Sequence, residues 1–237
     1  MRLDKYLGNM GCGSRKELKI MIKKGRATVN GQVEKDPGKH VSPDMDQVEF
    51  MGETIGYKPL VYIMLHKPDG YVSATEDSRE QTVLELIKGY DHYELFPVGR
   101  LDKDTEGLLI LSNDGKMAHN ILSPKKHVPK KYYAVIDGQV TEADVEAFKK
   151  GVTLDDGYET MPAWLTILKS DSESEIELTI MEGKFHQVKR MFESVGKKVT
   201  YLKRVQMGAL KLDESLGLGD YRELSEAEVS ALQQIDI

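Results

Sequence analysis

The chain has a single cysteine, Cys12, in 237 residues, which excludes an internal disulfide framework and any zinc site built from cysteine pairs. It has no apolar run near the ~18 residues of a membrane-spanning helix. Met1 leads straight into Arg2, Asp4 and Lys5 rather than into an apolar leader, so the sequence predicts a cytoplasmic protein. What remains is ordinary globular composition, 40% hydrophobic and 30% charged, with length for one large domain and one small. Cys12 reads as a small helix-flanking residue.

The net charge of −6 taken alone argues against nucleic acid, but its distribution along the chain does not. Residues 1–40 carry ten Lys/Arg against four Asp/Glu, whereas residues 213–237 carry one Arg against seven acids. A basic head and an acidic tail cancel. Two more basic clusters lie between them, KKHVPKK at Lys125 to Lys131, and Lys184 to Arg204 with seven Lys/Arg against Glu193. Local positive charge on an acidic chain points to a polyanion surface, although solvated helix faces give the same pattern.

Near the N-terminus, Leu3, Tyr6 and Leu7 mark one face of a short helix that Gly11 and Gly13 stop. Ser14 and Glu17 have capping-box spacing for a second helix, with Leu18, Met21 and Ile22 inward and Gly25 as its stop. Asn30-Gly31 between Val29 and Val33 predicts a two-residue hairpin, and a strand from Gln47 to Met51 closes a unit too small for an active site of its own. The pattern RLDKYL, SRKELKxMIKKGRATVNG resembles the small RNA-binding domain named after ribosomal protein S-four. That resemblance implies structured RNA as ligand, with Arg2, Lys5, Ser14, Arg15, Lys19, Lys23 and Arg26 contacting phosphates. A linker is expected over residues 52–59.

From Leu60 the chain reads as mixed α and β, with strands outnumbering helices and most neighbours joined by short turns. The expected fold is therefore α+β: a small N-terminal module over residues 1–56, and a mixed, largely antiparallel sheet with peripheral helices over 57–237. The acidic C-terminus, with Ser225 and Glu228 at capping-box spacing, reads as a surface helix. Inside the larger domain, GRLDKDTEGLLILSNDG (Gly99 to Gly115) puts Asp102 between Arg100 and Lys103 on a short loop before a buried strand. Such a loop combines exposure with a fixed position.

Three chemistries compete for this carboxylate. In a calcium loop, Asp102, Asp104, Glu106 and Gly107 would occupy positions one, three, five and six, but Asn113 stands where a bidentate Glu is required. An Asp-x-Asp phosphoryl-transfer site needs its apolar strand before the motif and later acids for a metal; here the strand follows. The third is a lone nucleophilic or basic carboxylate, kept ionised by a cation in a pocket closed by an aromatic ring. Asp104 meets the same chemical requirement as Asp102.

GRLDKDTEGLLILSNDG is similar to the signature of the pseudouridine synthases, and EGKFHQVKRMFESVG to the later motif of their small-subunit rRNA branch; the likeness extends over essentially the whole chain. It implies isomerisation of a uridine in small-subunit (16S) ribosomal RNA, by a monomer, with no cofactor and no metal. It also implies that Asp102 is catalytic, that Tyr133 stacks on the uracil and moves a proton late, and that Lys189 pairs with Asp102. Arg190 beside Lys189 is an alternative partner. Arg100 would help occupy the space left by a flipped base, while Lys130, Lys131, His186 and Arg190 would face RNA. The alternatives are a large-subunit rRNA synthase of the same family and a non-catalytic rRNA-binding assembly factor.

Overall fold

The computed structural model describes residues 1–234; the last three residues of the expected 57–237 domain lie outside the described residues. Packing divides the chain into two units, Met1–Val61 with Lys88–Leu95, and Tyr62–Ile87 with Phe96 onward.

In the first unit, α1 (Leu3–Asn9) and α2 (Arg15–Lys23) present Leu3, Tyr6, Leu7, Leu18 and Ile22 to a core completed by Ala27, Val41, Val48 and Phe50. The capping box forms: the Ser14 hydroxyl accepts from the Glu17 amide, and the Glu17 carboxylate accepts from the Ser14 amide. Strands β1 (Ala27–Val29) and β2 (Gln32–Glu34) are joined by Asn30 and Gly31, both at positive φ. β3 (Val48–Phe50) and β4 (Glu53–Thr54) complete a sheet of order β2-β1-β3-β4. Part of the expected linker over 52–59 is thus strand. Met51 and Gly52, at φ 55 and 90, make a second two-residue hairpin, which methionine does not advertise.

The second unit contains β5 (Tyr62–Lys67), β6 (Phe96–Val98), β7 (Glu106–Ser112), α3 (Gly115–Leu122), β8 (Lys130–Asp137), α4 (Glu142–Lys150), β9 (Trp164–Lys169), β10 (Glu173–Ile180), α5 (Gln187–Ser194), β11 (Lys198–Met207), β12 (Leu210–Lys211), β13 (Tyr221–Glu223) and α6 (Glu226–Gln233). Between β5 and β6, Val83–Leu86 form a 3-10 turn with Thr82 as its N-cap. The sheet order is β13-β5-β7-β11-β8-β10-β9, with β6 paired to β7 and β12 to β11. Every pairing is antiparallel except β7 with β11. The middle of β7 is apolar without alternation because it is covered on both faces: Leu108 to Leu111 are fully buried, and Leu108 and Ile110 join Met64, Val98, Met117 and Ile121 in the core.

One irregularity in this sheet makes room for the site. β7 pairs with β11 only at Glu106 and Gly107, and with β6 at Ile110 to Ser112. Between these two short ladders the Leu108 carbonyl is met by a side chain, Arg204 Nε, at 2.8 Å. The loop leaving β6 returns into β7 at that split. Gly107 is obligatory there: its φ is +104, and a Cβ would run into the Arg204 backbone carbonyl.

Candidate active site

The loop from Gly99 to Thr105 is held from beneath. The Leu101 amide donates to Ser73 Oγ, which donates back to the Leu101 carbonyl, at 3.1 and 3.0 Å. Lys67, with no solvent exposure at all, donates from one ammonium to the carbonyls of Pro68, Lys103 and Thr105 at 2.9–3.0 Å. Burial pulls its pKa down to about 8, against the opposing pull of Asp69, Asp104, Asp102 and Glu106. The Gly70 amide also reaches the Lys103 carbonyl, and the Thr105 amide closes a turn onto the Asp102 carbonyl. A calcium loop is incompatible with this arrangement, because Glu106 and Gly107 belong to β7.

So anchored, Asp102 lines a cavity of about 500 Å³ whose walls come from the loop, from β8 and β11, and from the segment Ile180 to Val188. The Asp102 carboxylate is 26% exposed; Lys189 Nζ stands 3.3 Å from it and His186 Nε2 3.7 Å. Lys189 is shared, and its shorter contact, 2.6 Å, is to Asp104, which is 66% exposed and does not line the cavity. Burial pushes the Asp104 carboxyl up, but the bond and charge of Lys189 outweigh it and leave it below the ordinary carboxylate value. Burial likewise lowers Lys189, and the two aspartates more than reverse that, so the ammonium stays protonated at neutral pH. Geometry therefore distinguishes two carboxylates that the sequence left equivalent.

Of the two adjacent tyrosines of β8, Tyr132 and not Tyr133 lines the cavity, where Tyr158 and Phe185 supply further aromatic rings. Successive strand residues point to opposite faces; Tyr132, Ala134 and Ile136 are buried, and Tyr132 lines the cavity. Tyr133 faces the other way. Its hydroxyl donates to Glu175 at 2.8 Å and its ring meets Tyr201 edge-on. The stacking role expected for Tyr133 is incompatible with that orientation. The same alternation separates the neighbouring lysines: Lys130 lines the cavity, whereas Lys131 forms an ion pair with Glu177 on the outer face.

Arg190 turns away from Asp102 as well, pairing with Asp155 and Asp156. His186 lines the cavity in the left-handed conformation, φ 49, and stacks on the exposed ring of Phe185 at 3.7 Å. Arg100 is exposed and lines the cavity. In the first unit Arg2, Lys5, Ser14, Arg15, Lys19, Lys23 and Arg26 are all exposed. Arg2 is tied to Asp4 by two bonds, and the Ser14 hydroxyl is engaged with Glu17. Lys67, Tyr132 and Arg204 escaped the sequence reading; a lysine closing an apolar strand and directly preceding Pro68 was the available signal for the first. Among the described residues, no group of three or more His, Cys, Asp or Glu is placed to hold a metal ion, and no helix is long and apolar enough to cross a membrane.

Comparison with known proteins bears on the same elements. Residues 61–194 match the family described as RNA pseudouridylate synthase, and residues 1–48 match the S4 domain. An uncharacterized RNA pseudouridine synthase of Bacillus subtilis is 49% identical over 236 residues, covering 99% of each chain. A ribosomal small subunit pseudouridine synthase A of Vibrio vulnificus is 41% identical over 233 residues, covering 98% of this chain and 99% of the relative. A crystal structure of a pseudouridylate synthase, 35% identical, superposes with a TM-score of 0.69 over 98% of this chain and 99% of that one.

Proposed function

Because the chain belongs to the RNA pseudouridylate synthase family, we propose that it converts one uridine of small-subunit ribosomal RNA to pseudouridine, with Asp102 as the catalytic carboxylate and Tyr132 as the ring that stacks on the target base. The observation that carries this reading is the cavity in which Asp102, held by Lys189 at 3.3 Å, and Tyr132 share one wall-lined space. The choice of small-subunit RNA is supported by the relative named for that activity.

Each step of the isomerisation puts a demand on these residues. The bond from uracil N1 to the sugar must break, the base must turn, and its C5 must join the same sugar carbon. A carboxylate can assist by attacking the sugar, by adding to the ring, or by taking a proton from the second sugar carbon. All three routes require an ionised Asp102 within reach of the nucleotide, and the Lys189 ammonium stands 3.3 Å from it as its ion-pair partner. A stacked nucleotide cannot enter a cavity, so the uridine must be flipped out; exposed Arg100, beside the catalytic residue, is suited to occupy the vacated space. Tyr132 offers a ring for the base and a hydroxyl for late proton transfer. The exposed cations Lys5, Arg15, Lys19, Lys23 and Arg26 of the first unit supply phosphate contacts, hence affinity and orientation rather than base reading.

The test is turnover. Incubated with small-subunit RNA or assembling small subunits, the wild-type chain yields pseudouridine at one position, and Asp102→Asn binds the RNA without forming product. No product from wild type on either substrate refutes the activity on this RNA and favours a binding factor; an active Asp102→Asn refutes the assignment of the carboxylate.

A further inference from the structure

A second pair of charged groups lines the cavity and has no part in the steps above. Lys130 and Arg204 lie on β8 and β11, on the same face as Tyr132: Arg204 is the ladder partner of Tyr132, and Lys130 is two residues along from it. Arg204 is 2% exposed. Its Nε is spent on the Leu108 carbonyl, while its Nη2 is buried with no partner. The Lys130 ammonium donates to the Val128 carbonyl at 2.9 Å and forms no ion pair among the described residues. Burial, and then the charge of Arg204, push its pKa down to about 8. The one carboxylate acting on it is that of Glu182, whose oxygens are already taken by the Tyr158 hydroxyl, the Met161 amide and the Gln187 side chain.

Two cations that line the same cavity with so little compensation are costly to hold there. They become favourable when negative charge arrives. A phosphodiester continues into the chain on both sides, which keeps it near the surface, whereas a flipped base is a terminal group and reaches deepest.

We propose that Lys130 and Arg204 receive the carbonyl oxygens of the flipped uracil and stabilise the negative charge the ring carries once it separates from the sugar. This inference rests on the isomerase reading above. As the C1′–N1 bond breaks, its electron pair stays with the ring, spread over N1 and the two carbonyl oxygens, and C1′ is left electron-poor. The charge is consumed when C5 bonds to C1′, and the proton then displaced from C5 passes, directly or through solvent, to N1, N3 keeping its own. Donors fixed where charge develops lower the barrier without reorganising.

The experiment is steady-state kinetics on small-subunit RNA with Lys130→Met and Lys130→Arg, alongside thermal unfolding and a pH profile. Lys130→Met should lower kcat by about 100-fold or more, the size seen when one fixed donor to a developing charge is removed, with KM within threefold and the salt dependence of binding unchanged. Lys130→Arg should restore most of kcat. The charges acting on Lys130 are those of Arg204 from β11 and Glu182 beyond β10, and His127, Tyr132, Tyr158, Lys184 and His186 are further titratable groups lining the same cavity. Lys130 and the loop-clamping Lys67 both have pKa values held down to about 8, so wild-type kcat should fall above that pH and the Lys130→Arg profile should fall less steeply, keeping only the limb that belongs to Lys67; this readout holds even if Lys130→Met folds poorly. A raised KM with a shallower salt dependence and intact kcat would overturn the proposal in favour of a phosphate seat. Unchanged kcat and KM, or identical pH profiles, would leave a merely structural cation. A wild-type chain that makes no pseudouridine refutes the isomerase reading, and this inference with it; a wild type that turns over beside an unaffected Lys130→Met refutes this inference alone.

Discussion

Replacing Lys67 by methionine separates the positioning of the catalytic loop from the stability of the fold. The lysine holds three carbonyls at 2.9–3.0 Å. The Lys103 carbonyl keeps a donor, the Gly70 amide, so two carbonyls lose theirs, at about 1–3 kcal/mol each. Against this, a pKa held down to about 8 corresponds to roughly 3 kcal/mol spent on keeping the ammonium charged in its buried place, and a methionine of similar length escapes that cost. The two effects nearly cancel. We expect Lys67→Met to lose about 1–2 kcal/mol, a drop in Tm of about 3–8 °C for a chain of this size, and to remain folded at 25 °C. The loop that carries Asp102 would nonetheless be released from its lysine clamp on both sides of Asp104. A displacement of about 1 Å costs on the order of 100-fold in rate. Kinetics on small-subunit RNA, with Tm measured on the same preparation, decide the matter. Turnover within threefold of wild type would refute the clamp; unfolding at 25 °C would show that the cation is chiefly a stability element.

Two further outcomes follow from the geometry. Tyr132→Phe should lower kcat at least tenfold, because the hydroxyl proposed for late proton transfer is lost from a cavity-lining residue, whereas Tyr133→Phe, which removes only the outward bond to Glu175, should stay within twofold; equal effects in the same turnover assay would contradict the assignment of faces. Gly107→Ala should destabilise the protein by more than about 3 kcal/mol, since a side chain at φ +104 is strained and its Cβ meets the Arg204 backbone; a loss below about 1 kcal/mol in urea unfolding would contradict that reading.

The local signals in this chain were strong where one residue type has one use. The Ser14–Glu17 box and the Asn30-Gly31 turn follow from hydrogen-bonding groups and positive φ that few other residues supply. The buried strand at Leu108 to Leu111 follows from the lack of any polar alternation. Parity in β8 was not legible. Tyr132, Ala134 and Ile136 are as apolar as Tyr133 and Val135, so alternation alone could not say which tyrosine faces inward. The sharing of Lys189 between Asp102 and Asp104, and the turning of Arg190 toward Asp155 and Asp156, depend on elements 35 to 85 residues distant. No spacing rule reaches that far. Arg204 lay hidden inside what read as a basic cluster, because burial of a charge is a property of the assembled sheet.

The single parallel seam in the sheet also bears on how the protein comes into being. β5, β6 and β7 pair among themselves within residues 62–112, and β8, β9 and β10 among themselves within residues 130–180, so each group can form early from nearby chain. Asp102 belongs to the first group; Tyr132 belongs to the second, and α5 with Lys189 follows it. Among the strand ladders of the described residues, β11 alone joins them, through Lys203 and Arg204 beside Glu106 and Gly107, contacts almost a hundred residues apart whose loop-closure entropy must be met before they contribute. A nascent chain that ends before residue 203 has no ladder to bring lysine to aspartate. On the proposed function, activity should therefore need nearly the whole polypeptide, because the ladder that completes the sheet is among the last to be made.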